Sequence, residues 1–201
     1  DTDVLRVQPA CGVKVNLEMA AIEAMVEFAV ANRPDMAMLV PEGREEVTTE
    51  GGLDVASDRR RLAGVVQSLR AAGIVVSACI DPDRRQVEAA AEAGFDVCEV
   101  HTGPWARAFR QTGGNPQAEP FIRTLGEVEA TGYRIREAGM RFNAGHALNY
   151  TNVGPVAALP GLAELHIGHA IVSRALFIGL RSAVAEMKTT ITRAATTTNV
   201  A

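Results

Sequence analysis

Residues 74–101 read IVVSACIDPDRRQVEAAAEAGFDVCEVH, and this stretch decides the fold. A near-continuous apolar run, 74–80, stops at Asp81; an alanine-rich helix-period segment, 86–93, closes at Gly94; a second short run, 97–100, leads into His101. Strands that do not alternate apolar with polar residues are buried on both faces, as in a parallel sheet covered by helices. The same unit recurs outward in both directions. A strand at 13–17 precedes a helix at 19–31, in which Met19, Ile22, Met25, Val26 and Ala29 share a face, and a strand at 36–40 precedes a helix at 55–72 closed by Gly73. Strands at 140–143 and 162–167 are each followed by a helix, the last spanning 171–188. Six βα units in series result.

Two architectures accommodate them: an open doubly wound sheet and a (β/α)8 TIM barrel. The open sheet favours a glycine-rich phosphate turn, and neither GxGxxG nor a Walker sequence occurs. The expectation is therefore α/β, a (β/α)8 TIM barrel whose first two βα units are missing from this chain. Residues 1–188 are read as a single barrel domain, and the Thr/Ala-rich residues 189–201 as a frayed tail. With 201 residues, 47% apolar and 22% charged, the chain has the composition of a globular domain with a real core. A formal net charge of −4 with no basic stripe argues against nucleic acid, and no apolar run reaches the ~20 residues of a membrane span. The odd cysteine count, Cys11, Cys79 and Cys98 with no CxxC, reads as reduced core thiols in a cytoplasmic protein without metal.

Polar, chemically capable residues stand where the apolar runs stop: Asn16-Leu17-Glu18, Pro41-Glu42, Asp81, Glu99-Val100-His101-Thr102, Asn143-Ala144-Gly145-His146 and Gly168-His169. In a barrel those ends converge on one mouth, so separate segments become one pocket. Three of the four histidines fall there, suited to general acid–base work. The long loop Glu46-Val47-Thr48-Thr49-Glu50-Gly51-Gly52-Leu53-Asp54 and the turn at Gly168-His169 offer hydroxyls and backbone N–H groups for phosphate. Other residues take structural readings. His166 inside Leu165-His166-Ile167 is structural, Asp81-Pro82-Asp83 is a turn and helix cap, Asp58-Arg59-Arg60-Arg61 is a solvated face, and Trp105 and Tyr150 pack. The stretch 104–119 reads as a mobile loop with no assigned role.

Five segments in order resemble the pyridoxine 5′-phosphate synthase family: Val15-Asn16-Leu17-Glu18-Met19-Ala20; Leu39-Val40-Pro41-Glu42 with the loop from Glu46 on; Glu99-Val100-His101-Thr102-Gly103; Asn143-Ala144-Gly145-His146; and Ile167-Gly168-His169-Ala170-Ile171. The resemblance implies a barrel that condenses 1-deoxy-D-xylulose 5-phosphate with 3-amino-2-oxopropyl phosphate. The products are pyridoxine 5′-phosphate, phosphate and water, the ring closure of de novo vitamin B6 synthesis. It further implies Glu18 as general base, His146 as proton donor and Glu99 as a carboxylate stabilising a transition state. Thr48 matches a contact to the deoxyxylulose phosphate, and Ala147, Gly168 and His169 match contacts to the amino-ketone phosphate, Ala147 standing where the family usually has glycine. No cofactor or metal is implied, and the chain is expected to form a homo-oligomer, an octamer by resemblance. Family members begin with two further βα units carrying an Asn-x-Asp-His segment, about 50 residues that would precede Asp1. A chain truly lacking them would be an inactive fragment or structural subunit, which is the alternative reading.

Overall fold

The computed structural model describes residue 10, residues 12–41 and residues 51–197. The apolar runs form strands β1 (Asn16–Ala20), β2 (Met36–Val40), β3 (Val75–Ile80), β4 (Val97–His101), β5 (Arg141–Gly145) and β6 (Leu162–His166). Between and after them lie helices α1 (Glu23–Asn32), α2 (Arg59–Ala71), α3 (Arg84–Ala93), α4 (Gly103–Gln111), α5 (Glu119–Glu137), α6 (Val153–Ala157), α7 (His169–Ile178) and α8 (Leu180–Thr197). Local signals explain several boundaries. Asp83 caps α3 by accepting from the Arg85 N–H, and Gly94 ends that helix in the left-handed region.

All strand pairs are parallel, and their order is sequential, β1-β2-β3-β4-β5-β6. A doubly wound sheet reverses its order at a switch point; this one does not. The sheet also curls. Strands about 4.8 Å apart would put β2 and β5 about 14 Å from each other if flat. Yet Arg141 of β5 reaches the Met36 sulfur of β2 at 3.7 Å. Lys14, just before β1, bonds Glu164 of β6, although a flat sheet would separate those strands by about 24 Å. The six strands form an arc of a (β/α) barrel, with β1 and β6 at its edges among the described residues.

The arc sorts side chains by face. Leu17, Met19, Ala37, Leu39, Val76, Ala78, Ile80, Cys98, Val100, Phe142 and Ala144 join the apolar core that the strands share with the helices. The alternate positions, among them Glu18, Met38, Cys79, Glu99, Asn143 and His166, face inward.

Four boundaries depart from the sequence reading. β1 lies three residues later than 13–17, so Glu18 is inside a strand rather than past its end. Residues 103–111 are helical, because Trp105 is fully buried and anchors α4 rather than leaving a mobile loop. The last helix is broken at Gly179, whose φ of 82° takes the chain out of the helical region between α7 and α8. The last helix runs on to Thr197, nine residues past the expected end at 188.

Trp105 packs edge-on against Phe109 at 5.5 Å and Phe121 at 4.7 Å, and its indole N–H donates to the Asn152 carbonyl at 3.3 Å. Truncating it to alanine removes a large buried ring and a buried donor. Trp105→Ala is expected to cost about 3–5 kcal/mol, seen as a lower denaturant midpoint with an unchanged slope.

Candidate active site

The inward face is polar toward the C-terminal ends of the strands, and there a cavity of about 1040 Å³ opens. Glu18, Glu99, His146, Ala147, Gly168 and His169 all line it. The seventh residue singled out, Thr48, lies outside the described residues, as do Glu42 and the first part of its loop.

Glu99 sits in the middle of β4 with no exposed surface, yet it is a carboxylate between two imidazoles. His146 Nδ1 is 3.0 Å from Glu99 Oε1, and His166 Nδ1 bonds the other oxygen, Oε2. His166 Nε2 in turn lies 3.5 Å from Glu164 Oε2, and Glu164 bonds Lys14. An alternating chain of charges therefore runs from the barrel edge to the cavity. Burial alone would raise the Glu99 carboxyl, but hydrogen bonds from His146 and His166, with their charges, outweigh it and hold Glu99 below its ordinary range. Burial pushes His166 down, and the bonds to Glu99 and Glu164 reverse that and raise it. Since an ionised carboxylate only accepts, His146 donates through Nδ1–H, and Nε2 is left for proton transfer. Gly145 permits the pairing, because a Cβ there would lie 2.2 Å from Glu99 Oε1.

The turn after β5 is strained and braced. His146 (φ 75°) and Ala147 (φ 57°) both sit in the left-handed region without being glycine. Thr102 Oγ1 lies 2.7 Å from the Gly145 carbonyl and 2.5 Å from that of His146, and Asn152 Nδ2 donates to the Ala147 carbonyl at 3.1 Å. Such bracing is what holds an unfavourable backbone in place. Replacing Ala147 by glycine relieves about 1–2 kcal/mol of left-handed strain while restoring about 0.4–1 kcal/mol of unfolded-state entropy. Ala147→Gly is therefore expected to raise unfolding free energy by about 0.5–1 kcal/mol, measured by denaturant titration.

Gly168 is the N-cap of α7, whose ten residues start with no side-chain cap. The first N–H groups of that helix lie where Gly168, His169 and Ala170 meet the cavity, a geometry that receives an anion. Gly52 N–H donates to Asp81 at 3.1 Å, and Leu53 N–H to the Cys79 carbonyl at 2.6 Å, so the described end of the loop after β2 is pinned over β3. Asp81 also stands 3.3 Å from the buried His101, which holds its carboxyl below the ordinary range, aided by the Gly52 N–H and opposed by burial. Asn143 Oδ1 and Nδ2, Ser77 Oγ and Asn16 Oδ1 are buried with no partner among the described residues, so the interior offers bonds to a polar ligand.

Sequence reasoning missed four contributors. His166, structural by its apolar neighbours in sequence, faces the cavity and grips Glu99. Only the alternation of Glu164 and His166 with the apolar Leu165 carried that signal. Arg107 and Arg110 of α4 also line the cavity and bring positive charge, from a stretch whose sequence predicts a loop. Cys79 lies 3.7 Å from His146 Nδ1, a proximity that no spacing along the chain reveals.

Comparison with solved structures shows the fold. The chain is similar to the Amycolatopsis orientalis BexX/CysO complex (TM-score 0.54, 17% identity, 87% of this chain and 64% of that one). It is also similar to the citrate synthase SbnG (TM-score 0.52, 14% identity, 96% and 77%). Sequence relatives are far nearer. The chain is 55% identical to the pyridoxine 5′-phosphate synthase of Dechloromonas aromatica (strain RCB) over 195 residues, 97% of this chain and 78% of that protein. It is 58% identical to that of Aromatoleum aromaticum over the same shares, and 50% identical to that of Rhodopirellula baltica over 94% and 73%. The family model described as pyridoxal phosphate biosynthesis protein PdxJ matches residues 1–193, which include the paired Glu99 and His146 and every other inward-facing residue of the cavity. The chain belongs to the pyridoxal phosphate biosynthesis protein PdxJ family.

Proposed function

We propose that this chain is a pyridoxine 5′-phosphate synthase that condenses 1-deoxy-D-xylulose 5-phosphate with 3-amino-2-oxopropyl phosphate inside the barrel mouth. The observation that carries the reading is the Glu99–His146 pair at 3.0 Å in a cavity that Glu18, Ala147, Gly168 and His169 also line. Imine formation, phosphate elimination, water loss and aldol-type closure all move protons on and off carbon and oxygen. Glu18, on the inward face of β1, takes a proton as general base. His146 returns one from Nε2, and the fixed negative charge of Glu99 stabilises the imidazolium and the positive charge that develops on nitrogen. The phosphate of the amino ketone sits at the start of α7 against Gly168 and His169, with Ala147 beside it, and Thr48 contacts the deoxyxylulose phosphate.

Both substrates are phosphorylated and anionic, so the enzyme works in the compartment where they are made, for which we take the cytoplasm. No helix among the described residues is long and apolar enough to cross a membrane. Homo-oligomerisation is supported by the exposed ridge of Leu176 (83%), Phe177 (84%) and Leu180 (62%) around the α7–α8 break, and the octamer is the size that the family resemblance implies. Light scattering behind a sizing column measures that assembly directly. The activity is tested by incubating the protein with both substrates and seeking pyridoxine 5′-phosphate by mass spectrometry. Product that accumulates with time and protein concentration is expected, and its absence would overturn the reading.

A further inference from the structure

Cys79 and Glu99 are register partners on β3 and β4, and His146 follows directly on β5. Their donor atoms converge. Cys79 Sγ is 3.7 Å and Glu99 Oε1 3.0 Å from His146 Nδ1, and all three lie within 4.8 Å of one another. A tetrahedral zinc ion bonded at about 2.0 Å to nitrogen and oxygen and 2.3 Å to sulfur holds such donors about 3.3–3.5 Å apart. Small side-chain movements therefore suffice to bind one. Among the described residues no other group of three such donors is gathered this way.

The donor set selects the ion. A thiolate with an imidazole and one carboxylate suits a borderline-soft divalent cation, whereas magnesium and calcium take oxygen ligands. The surroundings fit as well. Glu99 is fixed through its other oxygen by His166, the outer-sphere anchoring that orients metal ligands. Glu99 and His146 line the cavity, which leaves a fourth position open to water. Asn143, fully buried and without a side-chain partner among the described residues, stands at the register position beside Glu99.

We propose that Cys79, Glu99 and His146 form a binding site for a thiophilic divalent cation such as Zn²⁺, and that its occupancy switches the enzyme off. On binding, the Cys79 thiol loses its proton to solvent, His146 gives up its Nδ1 proton to solvent and carries one on Nε2 instead, and the ion takes both that freed nitrogen and the Glu99 oxygen it had bonded. The imidazole can then no longer be held and charged by that carboxylate. The switching half rests on the roles given to His146 and Glu99 above; the binding half does not.

The test titrates the metal-free full chain with Co²⁺, follows the thiolate-to-cobalt charge-transfer absorption, and then displaces cobalt with Zn²⁺. One ion per chain is expected, with a band that is lost in Cys79→Ser and retained in Cys11→Ser. Turnover of the unsubstituted chain is expected to fall at least tenfold at saturating Zn²⁺ and to return on chelation, while Cys79→Ser needs at least tenfold more Zn²⁺ for the same loss. An unsubstituted chain without the band overturns the site, and needs no variant to fold. A band that survives Cys79→Ser overturns it too. A band accompanied by turnover indifferent to Zn²⁺ overturns the switch. Failure to make product before any metal is added counts against the synthase reading, and the band then decides the binding half by itself.

Discussion

His146→Asn is expected to lower kcat by about 10²–10⁴-fold while leaving KM for both phosphorylated substrates within a few-fold. The substitution is chosen for its geometry. Asparagine tolerates the left-handed backbone that His146 occupies at φ 75° better than any other residue except glycine, so the braced turn survives. Its side-chain amide still donates toward Glu99. What it lacks is a second nitrogen that carries a transferable proton. Of the contacts proposed for phosphate, Gly168 and His169 belong to a different strand end, and Ala147 keeps its place because the braced turn survives. Steady-state kinetics alongside a denaturation curve separates the two quantities. A fall in kcat below tenfold, with a folded protein, would remove His146 from the role of proton donor.

The strand–helix alternation was legible because a covered parallel sheet writes itself as continuous apolar runs such as 74–80, and those runs fall almost where β2, β3, β4 and β6 lie. β1 was displaced because its inward positions are polar. Asn16 and Glu18 look like a strand's end in sequence, but they are the first and middle residues of β1 and both face the cavity. The helix over 103–111 was hidden by Gly103-Pro104 at its start. Proline is well placed in a first helical turn, but it reads as loop when the buried Trp105 is not weighed. The proposed catalytic pair, Glu99 and His146, was visible as two polar segments near strand ends, since strand ends in a barrel converge whatever the loops do. The third member of that cluster was not. A lone histidine between apolar neighbours looks like core, and only the register that sets β6 beside β5 brings His166 to the free oxygen of Glu99. Contacts two strands apart depend on sheet curvature, and curvature leaves no mark on a short sequence window.

Glu99→Gln is expected to lower kcat by about 10²–10³-fold and to alter how stability depends on pH. Glutamine keeps the shape and one acceptor but removes the charge that His146 and His166 share. In the native protein Glu99 is held below its ordinary 4.5, so its stabilising share is present above that value and is lost as pH falls through the folded one. His166 is held above its ordinary 6.5, so its share is present below that value and is lost as pH rises through the folded one. The two together favour the folded state most between about 4.5 and 6.5, where Glu99 is ionised and His166 is protonated. Removing the carboxylate abolishes the first share outright and leaves only Glu164 to support the second, through a 3.5 Å contact. The variant should lose about 1–3 kcal/mol within that window, where the charged hydrogen bonds operate, and progressively less outside it. Unfolding curves from pH 4 to pH 9 for both proteins give the difference directly. A loss of stability that is flat across the range would mean that Glu99 serves packing alone, and that the two imidazoles do not share its charge.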